Sequence, residues 1–338
     1  MQKRLPVLML ILSLLLGGCA QRAPEAQTRT VFAMDTVMNL AVYGGDGDAA
    51  LDAAEAELYR LDALLARGTE GSAVYALNRD GTVIDAEAAQ LLRACGAVAA
   101  ASGGAFDPTV AELLALWGFG SGAGEHRVPS AEEIAAALAH VGETHLHIDG
   151  EQVILDLPAQ IDLGGVAKGY AGERLFACMK ENGVTSAVID LGGDVALLGG
   201  KPDGSAWRVA VKDPADTGAY LGILETAGDV YAATSGVYER YFEQDGVRYH
   251  HILDPKTGYP ADSGLVSATV ICADGVWADA LATACCVMGA ERALALREAL
   301  ADTPAIDLIL VTDDGEVLYT CAGFAPDAAA EYRYRLVG

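Results

Sequence analysis

Short strand-forming runs closed by Gly- and Asp-rich turns outnumber the helical stretches of this chain, and this ratio constrains its fold more than any other feature. Strand patterns occupy residues 31–42, 145–148, 153–155, 186–190, 207–211, 221–225, 230–234, 265–271, 307–311 and 316–320. Residues 238–242 and 248–253 read as a hairpin closed by Asp245-Gly246, a dipeptide that accepts the positive φ of tight hairpin turns. Helical spacing appears at 51–65, 86–102, 168–182, 273–288 and 291–300. Ser130 and Glu133 form a capping box that opens a further helix, ending near His140. Hairpins outnumber strand–helix–strand units, which predicts an α+β fold with mainly antiparallel sheets flanked by helices, built as one large domain.

The N-terminus reads as a targeting segment. Lys3 and Arg4 precede an apolar run over residues 5–16, shorter than the ~20 residues a membrane span needs. The run ends Gly17-Gly18-Cys19, which resembles a bacterial lipobox with Cys19 as the lipidated first residue of the mature chain. The expected organisation is a lipoprotein signal peptide at 1–18, a tether at 19–28 and one folded domain at 29–338, held outside the cytoplasm by its lipid. Acidic residues number 47 against 22 basic ones, a formal net charge of −25, which argues against nucleic acid as a partner. Beyond Cys19, the six cysteines (Cys95, Cys178, Cys272, Cys285, Cys286, Cys321) form no Cys-x-x-Cys pair; most read as core thiols, with disulfides open to a chain held outside the cytoplasm.

Three polar segments stand out, two loops and one helical pair. Residues 251–260 place the His251 imidazole, the Asp254 carboxylate and the Thr257 hydroxyl on a segment shaped by Pro255, Gly258 and Pro260. Residues 161–169 join a short strand to a helix through Gly164-Gly165, with Lys168 where the helix begins. Amide groups at a helix start plus a lysine suit phosphate, although a tight packing turn would look the same. Asp279 and Thr283 lie four apart on an otherwise apolar helix and so share a face. They could supply hard oxygen ligands to Mg²⁺, or Asp279 could cap a neighbouring loop. Residues 32–36 and 104–108 each set an apolar side chain beside an Asp at a bend. His145 and His147 alternate on a predicted strand with no third ligand evident, and His126 and His140 read as surface residues.

Taken in order, Met34-Asp35-Thr36, residues 105–108, residues 116–120, residues 162–171, Gly192-Gly193-Asp194, Thr234-Ser235-Gly236, residues 251–260 and residues 278–283 resemble the motifs of the ApbE family. The resemblance spans about residues 30–325. It implies an Mg²⁺-dependent FAD:protein FMN transferase that moves FMN from FAD to a Thr or Ser hydroxyl of an acceptor protein in an extracytoplasmic redox chain, releasing AMP. By that resemblance Met34, Ala105, Phe106 and Asp107 contact the flavin nucleotide, and Asp162 and Lys168 hold FAD around its phosphates and adenosine. The Gly165 carbonyl, Asp279 and Thr283 bind the metal, and His251 acts near the scissile phosphate. Two positions depart from the usual pattern: Asp35 stands where the family often has glycine, and Arg67-Gly68 follows the first helix where an aromatic is frequent. The same residues would also serve an FAD pyrophosphatase or a non-catalytic FAD-binding lipoprotein.

Overall fold

Residues 31–42 do not form one strand. The chain reverses at Met34 and Asp35, which take φ of 50° and 58° and pair Ala33 with Thr36 across a two-residue hairpin turn. Such turns normally use Asn-Gly or Asp-Gly. Here the apolar alternation runs on through Met34, which packs against the core, so no turn signal marks the reversal. A left-handed methionine costs ~1–2 kcal/mol, and its neighbours must hold it there.

The computed structural model describes residues 24–120, 124–216, 218–300 and 305–338. The expected signal segment and Cys19 lie outside the described residues. The first strand already begins at Ala26, three residues inside the stretch expected to be tether.

A nine-stranded sheet runs in chain order: β1 (Ala26–Ala33), β2 (Thr36–Tyr43), β3 (Ser186–Asp190), β4 (Val195–Leu198), β5 (Val230–Gly236), β6 (Leu265–Cys272), β7 (Ile306–Thr312), β8 (Glu316–Tyr319) and β9 (Arg333–Leu336). Neighbours are antiparallel, except that β9 runs parallel to β8. The middle strands are apolar on both faces, because both are covered. Ala268, Val270, Leu308 and Leu310 face a core shared with the helices. Ile271, Ile309 and Val311 face a smaller core built with Tyr220–Thr226, Trp207–Lys212 and Phe324–Pro326. This is the α+β, mainly antiparallel architecture the sequence predicts.

Four helices build the first layer: α1 (Gly47–Leu65), α2 (Ala86–Ala101), α3 (Ala167–Glu181) and α4 (Gly275–Met288). Asp46 caps α1, Asp85 caps α2, and the capping box at Ser130 and Glu133 is present at the start of Ala131–Leu138. Asp274 caps α4 by accepting the Trp277 N–H, while Glu173 of α3 accepts the Gly275 and Val276 N–H groups. Burial and the neighbouring Asp274 push Glu173 up to about 7.

Helices α3 and α4 approach through glycine. A Cβ on Gly169 would run into the Gly275 carbonyl and stand 2.9 Å from the Asp279 Cβ. Replacing a helical glycine by alanine usually adds up to ~1 kcal/mol of stability. Here the overlap reverses the sign, and Gly169→Ala is expected to lose ~3 kcal/mol, read as a lower denaturation midpoint in urea. An unchanged midpoint would show that the two helices can separate at no cost.

Among the described residues no helix is long and apolar enough to cross a membrane. The six cysteines described are all free thiols, five buried and Cys178 partly so. Their role in the core agrees with the sequence reading. His145 closes a short 3₁₀ turn and only His147 lies on the strand Leu146–Asp149, so the two do not share a strand face. His147 instead sits 3.2 Å from Asp156.

Candidate active site

One cavity of about 960 Å³ opens where the β1–β2 turn, the loop after α2, the start of α3, the end of β5 and the middle of α4 meet. Met34, Ala105, Phe106, Asp107, Asp162, Gly165, Lys168, His251, Asp279 and Thr283 all line it. The structure therefore brings together every site residue expected from sequence except Cys19, which lies outside the described residues.

Asp279 is the energetic centre of this cavity. Its side chain is 4% exposed, on a helix whose neighbouring residues Ala278, Ala280 and Ala282 are fully buried. Its Oδ2 accepts the Gly169 N–H at 3.0 Å, so the first turn of α3 faces a carboxylate from its own fold. Burial, then the Asp194 carboxylate, push Asp279 up to about 7. A carboxylate kept in such a place is costly unless a cation or several donors compensate it. One helical turn on, Thr283 Oγ1 lies 3.1 Å from Ser235 Oγ. A Cβ on Gly165 would stand 3.5 Å from Thr283 Oγ1, so glycine leaves the approach to these oxygens open. Among the described residues no group of three or more His, Cys, Asp or Glu is placed to hold a metal ion. A cation here would rest on one carboxylate, a hydroxyl and a backbone carbonyl. That hard-oxygen set fits Mg²⁺, which commonly keeps waters and substrate phosphates in its shell.

Lys168, at the second position of α3, forms an ion pair with Asp194. Burial alone would lower its pKa, but the Asp194 and Asp279 carboxylates outweigh it and hold the ammonium well above the ordinary lysine range. Asp162 Oδ1 accepts the Gly164 N–H at 2.8 Å, and its Oδ2 lies 3.7 Å from Arg67. Arg67, standing where an aromatic was expected, thus braces an acidic residue of the cavity. Asp107 Oδ1 is bonded to both the amide and the hydroxyl of Thr109, so that oxygen is committed to holding its own loop. Burial pushes Asp107 above the usual carboxylate range.

His251 donates from Nδ1 to the Arg240 carbonyl at 3.1 Å, which leaves Nε2 with its lone pair. Burial, then the Arg240 guanidinium, push it down to about 3, so the ring is neutral. The other polar groups of this loop turn back on the loop itself. Asp254 Oδ1 accepts the Lys256 N–H and Thr257 Oγ1 accepts the Tyr259 N–H, so the carboxylate and hydroxyl serve the turn and not the cavity. Gly258, at φ 74°, packs where a Cβ would strike Ile134, and its carbonyl accepts the Trp117 indole N–H. That anchored turn fixes where the chain delivers His251.

Several lining residues were not assigned a role from sequence. Phe119, His126 and Tyr241 form an aromatic rim, and His126 stacks on Phe242 at 5.2 Å with planes 10° apart. The rings at the rim supply flat apolar surface despite the missing aromatic at Arg67. Glu239 and Arg240 also line the cavity, from the segment joining β5 to the hairpin. Thr36, Ser235 and Phe119 lie in motifs legible in the sequence, whereas nothing local marks Glu239 or Arg240.

Comparison with known proteins agrees with this geometry. Residues 34–306 match the ApbE family. The chain is 32% identical over 326 residues, 89% of each chain, to an FAD:protein FMN transferase of Treponema pallidum. It is 41% identical over 225 residues, 66% of each chain, to one from Vibrio cholerae. Among solved structures, an ApbE protein of Thermotoga maritima superposes with a TM-score of 0.80 at 35% identity, covering 87% of this chain and 96% of that one. A flavinyl transferase ApbE of Pseudomonas stutzeri gives 0.74 at 35% identity, covering 86% and 92%.

Proposed function

The chain belongs to the ApbE family, and from that premise we propose that it transfers FMN from FAD to a Thr or Ser hydroxyl of an acceptor protein, releasing AMP, with Mg²⁺ required. The observation that carries this reading is the single cavity holding Asp279, Thr283 and Gly165 beside Lys168, with the neutral imidazole of His251 on the same walls. Phosphoryl transfer asks a protein mainly to position its reactants and neutralise charge.

In the step, the acceptor hydroxyl oxygen bonds to the FMN phosphorus, the bridging P–O bond breaks, and AMP leaves with the bridging oxygen. The hydroxyl proton goes to a base. Mg²⁺, held by Asp279, Thr283 and the Gly165 carbonyl, would polarise the phosphoryl oxygens. Lys168 binds and orients the diphosphate. His251 offers Nε2 to the hydroxyl proton, its tautomer fixed by the Arg240 carbonyl. Phosphate oxygens drawn to Arg240 and Lys168 would offset the positive field that helps hold His251 down, moving it toward a useful basicity. Met34 and Phe106 offer apolar surface to the flavin, and Asp162 a carboxylate acceptor to the nucleotide's hydroxyl or amino groups. Chromatographic detection of AMP from FAD, dependent on added Mg²⁺, tests the cleavage half of this reading; intact FAD would refute it.

The apolar run ending at Cys19 supports a lipid-anchored, extracytoplasmic enzyme whose acceptors belong to a redox chain in that compartment. Cys19→Ala is expected to move the protein from the membrane fraction to the soluble fraction of cells. Unaltered fractionation would remove the anchor from the account.

A further inference from the structure

The motif Gly192-Gly193-Asp194 has no part in the mechanism so far, yet its side chain stands behind the cavity. Gly192 and Gly193 take φ of 77° and 108°, and Asp190 Oδ1 accepts both of their N–H groups. A Cβ on Gly192 would strike the Thr36 side chain, so the turn between β3 and β4 is pressed against the β1–β2 hairpin. This turn aims Asp194 inward, where it is 4% exposed. Its Oδ1 accepts the Thr234 N–H of β5 at 2.8 Å, and its Oδ2 meets the Lys168 ammonium. Lys168 also feels the carboxylates of Asp279 and Glu239, three acids around one cation.

A substrate diphosphate must compete with Asp194 for that ammonium. We propose that Asp194 is a positioning residue that withholds Lys168 from the diphosphate, so that tight FAD binding depends on a divalent cation occupying the Asp279 side of the cavity. The proposal rests on the FAD-binding reading given above. A dication at Asp279 adds positive charge beside both carboxylates, weakens their hold on Lys168 and attracts the diphosphate directly. Cation and FAD would then bind with positive coupling, and Asp194 sets its size.

The test is FAD affinity by flavin fluorescence quenching in the full chain, in EDTA and in Mg²⁺, the latter read before turnover by stopped flow. Asp194→Asn keeps an oxygen for the Thr234 N–H and removes the charge. It is expected to tighten FAD binding in EDTA by about tenfold and to shrink the Mg²⁺-induced gain by the same factor. Adding Lys168→Met should abolish the tightening, because the gain acts through the released ammonium. A merely structural Asp194 predicts the opposite sign, weaker FAD binding in both solutions. Unchanged or weaker binding in EDTA, with native near-UV dichroism, would overturn the proposal. If Asp194→Asn does not fold, Asp194→Ser retains a hydroxyl acceptor and carries the same expectation. Failure of the unmutated protein to bind FAD even with Mg²⁺ would overturn the reading of the site itself, whatever the variants do.

Discussion

Asp279→Ala is expected to lower FMN transfer by ~10³-fold or more, about 4 kcal/mol of transition-state stabilisation, while leaving the fold intact. The carboxylate is buried among alanines and lines the cavity with Thr283, so removing it deletes the charged member of the proposed cation site. Stability should not fall with activity. Burial raises the folded pKa of Asp279 far above its unfolded value, so the acid form is the one the metal-free fold favours. Its contribution to stability is fully present below the unfolded carboxylate range and is lost as pH rises through about 7. The substitution should therefore raise, or leave unchanged, the metal-free melting temperature at neutral pH and above. Mg²⁺ partners only the ionised form, so it should raise the melting temperature of the unmutated protein at about pH 8 and progressively less toward about pH 5. Equal Mg²⁺ stabilisation at both pH values, or full activity in Asp279→Ala, would show that the cation binds elsewhere.

His251→Ala is expected to cost ~10²–10⁴-fold in turnover, the usual contribution of a positioned general base. FAD affinity should change little, because the ring lies against the Arg240 carbonyl and Phe119 and carries no charge. The depressed pKa adds a sign. In the free enzyme His251 is already unprotonated through the whole neutral range, so its titration should produce no acid limb near pH 6.5 in kcat/KM. Steady-state kinetics against pH, with and without the substitution, check both statements. An acid limb near 6.5 that vanishes in His251→Ala would mean that the imidazole titrates normally and is not held by burial and Arg240.

Much of this architecture is legible in the sequence because local signals and tertiary demands agree. The capping box at Ser130 appears as read, and the hairpin turn falls at Asp245-Gly246, both with positive φ, although its strands are Tyr241–Gln244 and Val247–His250, shorter than and shifted from the expected 238–242 and 248–253. The misses have separate physical causes. The helix Ala73–Asp80 was signalled by Ser72, which caps Tyr75, and by the left-handed Gly81, but its eight residues give too little periodicity. The helix Ala111–Leu116 has no side-chain cap to announce it. Strand β9 alternates Arg333, Tyr334 and Arg335 along the edge of the sheet and is ordered by its parallel pairing with β8. The Met34-Asp35 turn runs against local preference, which is expected where a site imposes strain.

The cavity shows the same division. His251, Lys168, Asp279 and Thr283 stand out as polar groups on a Pro/Gly loop, at a helix start and on an apolar helix, and the resemblance to the ApbE motifs supplies their expected roles. The functions of Asp254 and Thr257 within their turn, the brace between Arg67 and Asp162, and the pairing of Asp194 with Lys168 were not legible, since each depends on which distant segment folds against it. Asp194 and Lys168 are 26 positions apart and meet only because β4 and α3 are placed by the sheet and helix layers.

The central claim is that this cavity moves FMN onto a protein. The most direct measurement incubates the protein with FAD, Mg²⁺ and an acceptor protein bearing an exposed Thr or Ser motif, then follows flavin fluorescence of the acceptor on a denaturing gel. The account predicts a fluorescent acceptor band that requires Mg²⁺, appears with stoichiometric AMP, and is lost in Asp279→Ala and His251→Ala. An acceptor that stays dark while FAD is cleaved to free FMN and AMP would contradict it and leave a hydrolase, and FAD recovered intact with Mg²⁺ present would contradict the chemistry altogether.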